Sequence, residues 1–167
     1  MAQIPLLKVI IVGDATVGKT TLVRRYCEGK FHASRVATIG VDFYSQRVPL
    51  PTGPVKLSIW DMAGQERFEV VRAGFYRGSR AAALVYDVTV PASLVNLRRW
   101  QDEVLRGVPG QPLLVVGNKI DKERAVRTQV GQAFSTYIGA PYLETSALTG
   151  DGVAALFEAL AKLAMNP

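Results

Sequence analysis

The sequence predicts an α/β fold with a mainly parallel sheet and helices on both faces. Short apolar and β-branched runs alternate with amphipathic stretches of helical length, which is typical of parallel strands joined by crossover helices. The first run ends in a loop that leads directly into a helical stretch. At 167 residues, 49% of them hydrophobic, the chain is long enough for a substantial core. We therefore predict a single domain that covers residues 1–167.

The individual elements are predicted from their polarity patterns. Leu6–Val12 is apolar except for Lys8 and predicts a buried strand. Residues 41–50 alternate in polarity, and a proline- and glycine-rich turn separates them from residues 55–60, which predicts a hairpin. Further strands are predicted at residues 81–86, 113–116 and 142–144. Helical patterns lie at residues 19–28, 93–105, 126–137 and 153–165.

The net charge of +6 and the pI near 9.7 could indicate a nucleic-acid or anionic membrane partner. However, the basic pairs Arg24 and Arg25, and Arg98 and Arg99, lie far apart in the sequence, and no nucleic-acid-binding motif is present. We therefore expect a solvated basic surface and no nucleic-acid partner.

The sequence contains no apolar run of about 20 residues and no signal-peptide pattern, so a cytoplasmic location is expected. Cys27 has no second cysteine to pair with and is interpreted as a packing residue. The sequence ends in Met-Asn-Pro without a cysteine for prenylation, and its second residue is alanine. Either a lipidated tail that binds membranes is missing from this sequence, or the protein works without a lipid.

The loop after the first strand, G-D-A-T-V-G-K-T at residues 13–20, matches the phosphate-binding pattern G-x-x-x-x-G-K-[ST]. Its glycines allow close approach of the backbone, so that N–H groups and the helix N-terminus point at phosphate oxygens. Lys19 is expected to reach the β- and γ-phosphates, and the Thr20 hydroxyl to bind Mg²⁺. An ordinary turn is the alternative, but a chance match between a strand and a helix is rare. The sequence therefore predicts a nucleotide phosphate site.

The segment N-K-I-D, residues 118–121, follows a predicted strand and should lie at the same edge of the sheet. A buried carboxylate at Asp121 would accept two N–H bonds from guanine but would meet a repelling lone pair on adenine. Taken alone, this motif could equally be a surface turn. E-T-S-A, residues 144–147, also follows a predicted strand and can offer main-chain N–H groups to the guanine O6. Together the two motifs predict a guanine nucleotide.

With these motifs the chain resembles the Ras superfamily of small GTPases, and within it the Rab family, over essentially its whole length. The matching segments also include T-I-G-V-D-F (38–43), K-L-S-I-W-D-M-A-G-Q-E-R-F (56–68), F-Y-R-G (75–78) and L-V-Y-D-V-T (84–89). The resemblance implies a P-loop NTPase small G domain with a six-stranded mixed sheet that has one antiparallel strand. It also implies a GTP-hydrolysing switch in membrane traffic, with switch segments at about residues 31–38 and 61–76.

The resemblance further implies roles for individual residues. Thr38 would join Thr20 on Mg²⁺, and Asp61 would hold the metal through water. Gln65 would orient the attacking water, and Lys19 would act with it in catalysis. The residues expected to bind GTP or GDP are Gly13, Asp14, Ala15, Thr16, Val17, Gly18, Lys19, Thr20, Thr21, Phe31, Thr38, Gly64, Asn118, Lys119, Asp121, Ser146, Ala147 and Leu148.

Partner proteins are implied as well. Phe43, Trp60 and Phe75 match the aromatic triad that Rab proteins present to effectors, with plain packing as the alternative. An exchange factor would act on the switch segments. Phe31 matches the aromatic that stacks on the guanine edge, although a core position is the alternative.

Several positions depart from the Rab pattern. Met62 stands where threonine is usual, and Ala15 and Thr16 stand where serine and glycine are frequent. Leu148 replaces the lysine after Ser-Ala; it can cover the base but carries no charge near the ribose, which bears on nucleotide affinity and exchange rate. Arginines also cluster near the second switch, where we expect a solvated face or an acidic partner. They are Arg67, Arg72, Arg77 and Arg80.

Arg35, three residues before Thr38, stands where small GTPases usually carry an aromatic. The pattern R-V-x-T resembles the first switch of heterotrimeric G-protein α subunits, which supply their own arginine finger. We hypothesise that Arg35 stabilises the charge that builds on the β- and γ-phosphate oxygens. The alternative is a solvent-exposed arginine.

Two other functions remain open from the sequence. A GTP-regulated binding module with negligible hydrolysis is one, and the presence of Gln65 counts against it. An ATP-dependent P-loop enzyme is the other, and Asp121 counts against that.

Overall fold

The computed structural model describes residues 3–31 and 40–166, and within them six strands form one sheet. The strands are β1 (Leu6–Val12), β2 (Val41–Val48), β3 (Val55–Met62), β4 (Ala81–Asp87), β5 (Leu113–Asn118) and β6 (Tyr142–Thr145). Their order is β2-β3-β1-β4-β5-β6, and β2 runs antiparallel to β3 whereas the other neighbours are parallel. The predicted six-stranded mixed sheet is confirmed.

Helices cover both faces of this sheet. They are α1 (Lys19–Glu28), α2 (Glu69–Ala73), α3 (Pro91–Val95), α4 (Leu97–Gly107), α5 (Thr128–Ile138) and α6 (Val153–Met165), with a 3-10 turn at Glu66–Phe68. The amphipathic segment predicted at residues 93–105 forms two helices, α3 and α4, that meet at Asn96. Among residues 3–31 and 40–166, we find no helix with the length and hydropathy of a membrane span.

The central strand β1 is buried on both sides, which explains its nearly continuous apolar sequence. Val9 and Ile11 pack with residues of α1 and α6, and Ile10 and Val12 pack with residues of α4. All four side chains have no exposed surface. Two core layers therefore sandwich the sheet and fix the positions of its strand ends.

The carboxyl ends of β1, β3, β5 and β6 lie at one edge because these strands are parallel. The register pairs Asn118 at the end of β5 with Thr145 at the end of β6. The loops that follow these strands carry the phosphate motif, the second switch and both base motifs. Ligands in open α/β sheets bind at this edge.

Candidate nucleotide-binding site

The loop between β1 and α1 is in direct contact with two other loops of this edge. A Cβ atom at Gly18 would lie 2.4 Å from Nδ2 of Asn118, and one at Gly64 would lie 2.3 Å from the main-chain nitrogen of Ala15. Such distances leave no space for a side chain, so both positions require glycine. The segment after β3 and the segment after β5 therefore both pack on the predicted phosphate loop.

Lys19, the first residue of α1, extends its side chain into this loop and is only 6% exposed. Its Nζ donates hydrogen bonds to the main-chain carbonyls of Gly13 and Asp14, both at 2.8 Å. Burial lowers the pKa of Lys19, whereas the negative charges of Asp61 and Asp14 raise it. Burial is the larger effect, and the pKa falls to about 8. The amino group thus lies at the floor of the loop, where the sequence predicts the β- and γ-phosphates.

Thr20 at the start of α1 and Asp61 near the end of β3 are in contact. The Thr20 hydroxyl donates a hydrogen bond to Oδ2 of Asp61, whose side chain is fully buried. A hydroxyl and a carboxylate oxygen are both ligands that Mg²⁺ accepts, so the donor set fits the predicted metal. Thr38, the third predicted ligand, lies outside the described residues.

Asn118 joins the phosphate side of the site to the base side. Its Nδ2 donates to the main-chain carbonyl of Val17 at 2.9 Å, and its Oδ1 accepts a hydrogen bond from the Thr145 hydroxyl at 2.9 Å. The neighbouring Lys119 donates from Nζ to the carbonyl of Thr16 at 2.8 Å. The N-K-x-D segment is therefore tied to the phosphate loop at two points and is not a free surface turn.

Asp121 was predicted to be a buried carboxylate, and the structure corrects this, because its loop is open to solvent and the residue is exposed. The Ser146 hydroxyl donates to Oδ1 of Asp121 at 2.7 Å and so fixes the direction of the carboxylate. The N–H of Ser146 donates to the carbonyl of Asp151 at 2.9 Å. Of the main-chain donors predicted at residues 144–147, this one is therefore already paired.

The apolar residues predicted to flank the base differ in exposure. Ala147 is buried at 6%, whereas Leu148 is 51% exposed and Phe31 is 40% exposed. Phe31 is thus not a core residue in this structure, contrary to the packing alternative. Thr21 is partly buried in the first turn of α1.

Two arginines of the predicted second switch, Arg67 and Arg72, bond to other side chains. Oε1 of Gln65 accepts a hydrogen bond from Nε of Arg67 at 2.8 Å. Arg72 is only 3% exposed and forms an ion pair of 2.7 Å with Glu103 of α4. Burial alone would lower the pKa of Arg72, but the hydrogen bond and charge of Glu103 raise it. The predicted solvated face is therefore wrong for Arg72, although Arg67, Arg77 and Arg80 are exposed.

Phe43, Trp60 and Phe75 form one cluster at the surface. Their ring centroids are 4.5 Å apart for Phe43 and Trp60, and 5.6 Å apart for Trp60 and Phe75. Phe43 is 57% exposed, so the cluster is not plain core packing. Nζ of Lys8 lies over the Trp60 ring, 3.6 Å from its centroid, in a cation–π contact.

Arg35 lies among residues 32–39, outside the described residues, and its arginine-finger role stays a prediction.

The contacts of the Asp14 side chain were not predicted from the sequence. Its carboxylate accepts hydrogen bonds from Nδ2 of Asn96 at 2.7 Å and from Nε1 of Trp100 at 2.9 Å. Nη2 of Arg99 lies 3.6 Å from Oδ1 of Asp14, and the same guanidinium also forms an ion pair with Glu66 of the second switch. These partners are separated from Asp14 by more than 80 positions, and no local pattern could have indicated them.

The sheet order, the phosphate loop and the base motifs at one edge define the class of small GTP-binding proteins. A sequence model of the Ras family matches residues 8–166, and the chain belongs to this family. It is a small GTPase of the Rab type.

Individual relatives agree with this assignment. Ras-related protein Rab7 of Drosophila melanogaster is 44% identical over 96% of this chain and 81% of its own length. The Ypt/Rab-type GTPase Rab7 of Gibberella zeae is 42% identical over 96% of this chain and 82% of its own length. The GTP-binding protein YPTM1 of Zea mays is 40% identical over 93% of this chain and 76% of its own length.

Proposed function

We propose that this GTPase is a molecular switch in membrane traffic, formed by a single domain over residues 1–167. It binds GTP with Mg²⁺, hydrolyses it to GDP, and signals the bound nucleotide through its two switch segments. One observation supports this most directly: Lys19, the Thr20–Asp61 pair and the Ser146–Asp121 pair lie at the same edge of the sheet.

Guanine recognition is assigned to Asp121, oriented by Ser146, with Lys119 and Leu148 beside the base. A bound base would cover the exposed carboxylate and strengthen its two hydrogen bonds to guanine. Calorimetric titration with GDP and with ADP, in the presence of Mg²⁺, tests this. GDP should bind far more tightly than ADP, and Asp121→Asn should lose this preference while Asp151→Asn keeps it. Equal affinities in the wild type would instead favour an ATP-dependent P-loop enzyme.

Mg²⁺ would be held by Thr20 and Thr38 directly and by Asp61 through water. When bound, the ion neutralises charge on the β- and γ-phosphates. Thr20→Val keeps the shape of the side chain but removes the ligand. The variant should release GDP at the same rate with Mg²⁺ as with a chelator, whereas the wild type should release it much more slowly with Mg²⁺.

Hydrolysis is assigned to Gln65, which orients the attacking water, and to Lys19, which holds the phosphates. Gln65→Leu should bind GTP normally but release phosphate at least tenfold more slowly. Phosphate release at the wild-type rate would remove Gln65 from the mechanism. If the wild type itself releases no phosphate, the protein is a GTP-regulated binding module.

Arg35 is proposed as an arginine finger supplied by the chain itself. An arginine in this position meets the transition-state charge without an activating protein, which accelerates hydrolysis by about ten- to a hundredfold. Arg35→Ala should slow single-turnover hydrolysis by that factor. Arg77→Ala, which replaces an exposed arginine, should leave the single-turnover rate unchanged. Equal rates for Arg35→Ala and wild type would exclude the finger.

Partner proteins are proposed to bind at the switches, with Phe43, Trp60 and Phe75 as the effector surface. Aromatic anchors of this kind dominate many interfaces. Phe43→Ser should weaken GTP-dependent binding of an effector without changing the hydrolysis rate. Reduced hydrolysis would show that the cluster supports the switch instead. Attachment to a membrane surface would require a lipidated tail.

A further inference from the structure

Arg72 uses its whole guanidinium group inside the protein. Its Nε and Nη2 donate to the two carboxylate oxygens of Glu103 at 2.9 and 2.7 Å. Its Nη1 donates to the main-chain carbonyls of Ala63 at 2.8 Å and Gln65 at 2.6 Å. A planar guanidinium with fixed donor directions is suited to such a set of acceptors. One side chain therefore connects helix α4 to both residues that flank Gly64.

The other side of this segment is also fixed. A Cβ atom at Gly64 would lie 2.3 Å from the main-chain nitrogen of Ala15, so Gly64 lies directly against the phosphate loop. The N–H of Ala63 donates to the carbonyl of Gly40 at 2.8 Å. Residues 63–65 are thus held between the phosphate loop and Arg72, and the main chain of Gln65 has little freedom to shift.

Helix α4 provides a rigid base for Arg72. The guanidinium carbon lies 4.4 Å from the centroid of the Trp100 ring, and Trp100 donates its Nε1 hydrogen to Asp14 of the phosphate loop. The hydroxyl of Tyr76, which is fully buried, donates to Oε2 of Glu103. The Glu103 carboxylate is therefore held by a second contact that does not involve Arg72.

Stability alone does not explain this arrangement. Burying a charged pair costs free energy of desolvation, and well-packed apolar replacements are often equally stable. What an apolar group cannot replace is the pair of hydrogen bonds to the carbonyls of Ala63 and Gln65.

We infer that Arg72, oriented by Glu103, is a positioning residue for GTP hydrolysis that holds the main chain of Gln65 against the phosphate loop. The inference rests on the proposed function of Gln65. A displacement of about 1 Å at a reacting group can reduce a rate by roughly a hundredfold, so we expect hydrolysis to be sensitive to this contact.

The test separates position from stability by replacing the whole buried group. The triple variant Arg72→Met, Glu103→Met and Tyr76→Phe removes both charges and the hydroxyl that would otherwise lose its acceptor. Its thermal stability should fall only moderately, because the charges are removed together and the main loss is the donor to the carbonyls of Ala63 and Gln65. Single-turnover hydrolysis of preloaded GTP, measured well below the unfolding temperature, should fall by about tenfold or more. The matched control Tyr76→Phe removes one support of Glu103 but leaves all four hydrogen bonds of Arg72 in place, so it should slow hydrolysis far less than the triple variant does.

Gln65→Leu, alone and combined with the triple variant, completes the experiment. If Arg72 acts through Gln65, the combined variant should be no slower than Gln65→Leu alone. A stable triple variant with the wild-type rate, beside a slow Gln65→Leu, would overturn the positioning role alone. A Gln65→Leu variant with the wild-type rate would overturn the proposed role of Gln65 and this inference with it. If the triple variant is too unstable to assay, Arg72→Lys replaces it, because lysine keeps the charge but cannot make all four hydrogen bonds. A slower rate of Arg72→Lys would then support the positioning role, and the wild-type rate would overturn it.

Discussion

Asn118 donates a hydrogen bond from its side chain to the main-chain carbonyl of Val17, at 2.9 Å, across 101 positions of the sequence. The same amide accepts a hydrogen bond from Thr145, so the phosphate loop and the ends of β5 and β6 meet at one buried group. This amide connects the loop that is proposed to bind phosphates to the loops that are proposed to bind the base.

Replacing Asn118 should therefore affect both the fold and nucleotide retention. Asn118→Ala leaves buried acceptor and donor groups unpaired and should lower the free energy of unfolding by about 1–3 kcal/mol. A fluorescent GDP analogue should dissociate about tenfold faster, because the phosphate loop loses its support. Thr145→Val removes one of the two hydrogen bonds and should have a smaller effect on dissociation. Equal effects of both substitutions would contradict the importance of the link to Val17.

Thr16 is strained in the phosphate loop. Its φ is 69°, in the left-handed region that is rare for a β-branched residue. Thr16→Gly should relieve the strain and raise the free energy of unfolding by about 1 kcal/mol, after the greater freedom of glycine in the unfolded chain is counted. Urea denaturation measures this. Ala15→Gly, at a neighbouring position without positive φ, should lower stability instead, and a gain there would contradict the explanation.

Gly131 lies within α5. Inside a helix, alanine is normally more stabilising than glycine by about 0.5–1 kcal/mol. Here a Cβ atom would lie 2.2 Å from the Tyr86 hydroxyl and 2.6 Å from that of Tyr142. Gly131→Ala should therefore destabilise the protein by about 1–3 kcal/mol, the usual cost of overpacking. In a Tyr86→Phe background the loss should be smaller, because the nearest atom is gone. Thermal unfolding of the wild type, both single variants and the double variant gives the coupling energy between the two positions. If Gly131→Ala costs the same stability in both backgrounds, the Tyr86 hydroxyl is not the obstacle.

Glu144 should make stability depend on pH. Burial would raise the pKa of this carboxyl, but hydrogen bonds from Arg124, Tyr142 and Thr128 lower it below its ordinary value. A lowered pKa contributes stability that is fully present above the ordinary value of about 4.3 and is lost as the pH falls through the lowered value. The difference in unfolding free energy between wild type and Glu144→Gln should thus be largest near neutral pH and shrink in acid. Glu158→Gln, in an exposed pair with Lys162, should cause little change at any pH. A Glu144→Gln difference that is constant from pH 7 to pH 3 would refute the linkage.

The ends of the strands show where sequence patterns were insufficient. The patterns ended β3 at residue 60, β4 at residue 86 and β5 at residue 116, and so left out the polar residues Asp61, Asp87 and Asn118. The structure extends each strand through these residues, which are all at most 4% exposed. Their polar groups are accepted there because hydrogen bonds at the site replace water.

Local patterns were enough to predict the order and type of the main elements, the phosphate loop and the guanine motifs, since these depend on residues that are close together in the chain. Three contacts became visible only in the folded chain: Arg72 is buried against Glu103, Asp14 meets Trp100, and Asn118 joins the phosphate loop to the end of β6. Such contacts depend on how distant segments pack on the sheet, and no local pattern of polarity encodes a distance between them. A hydrogen bond or ion pair depends on ångström-scale geometry, and that geometry is set by how the helices pack on the sheet.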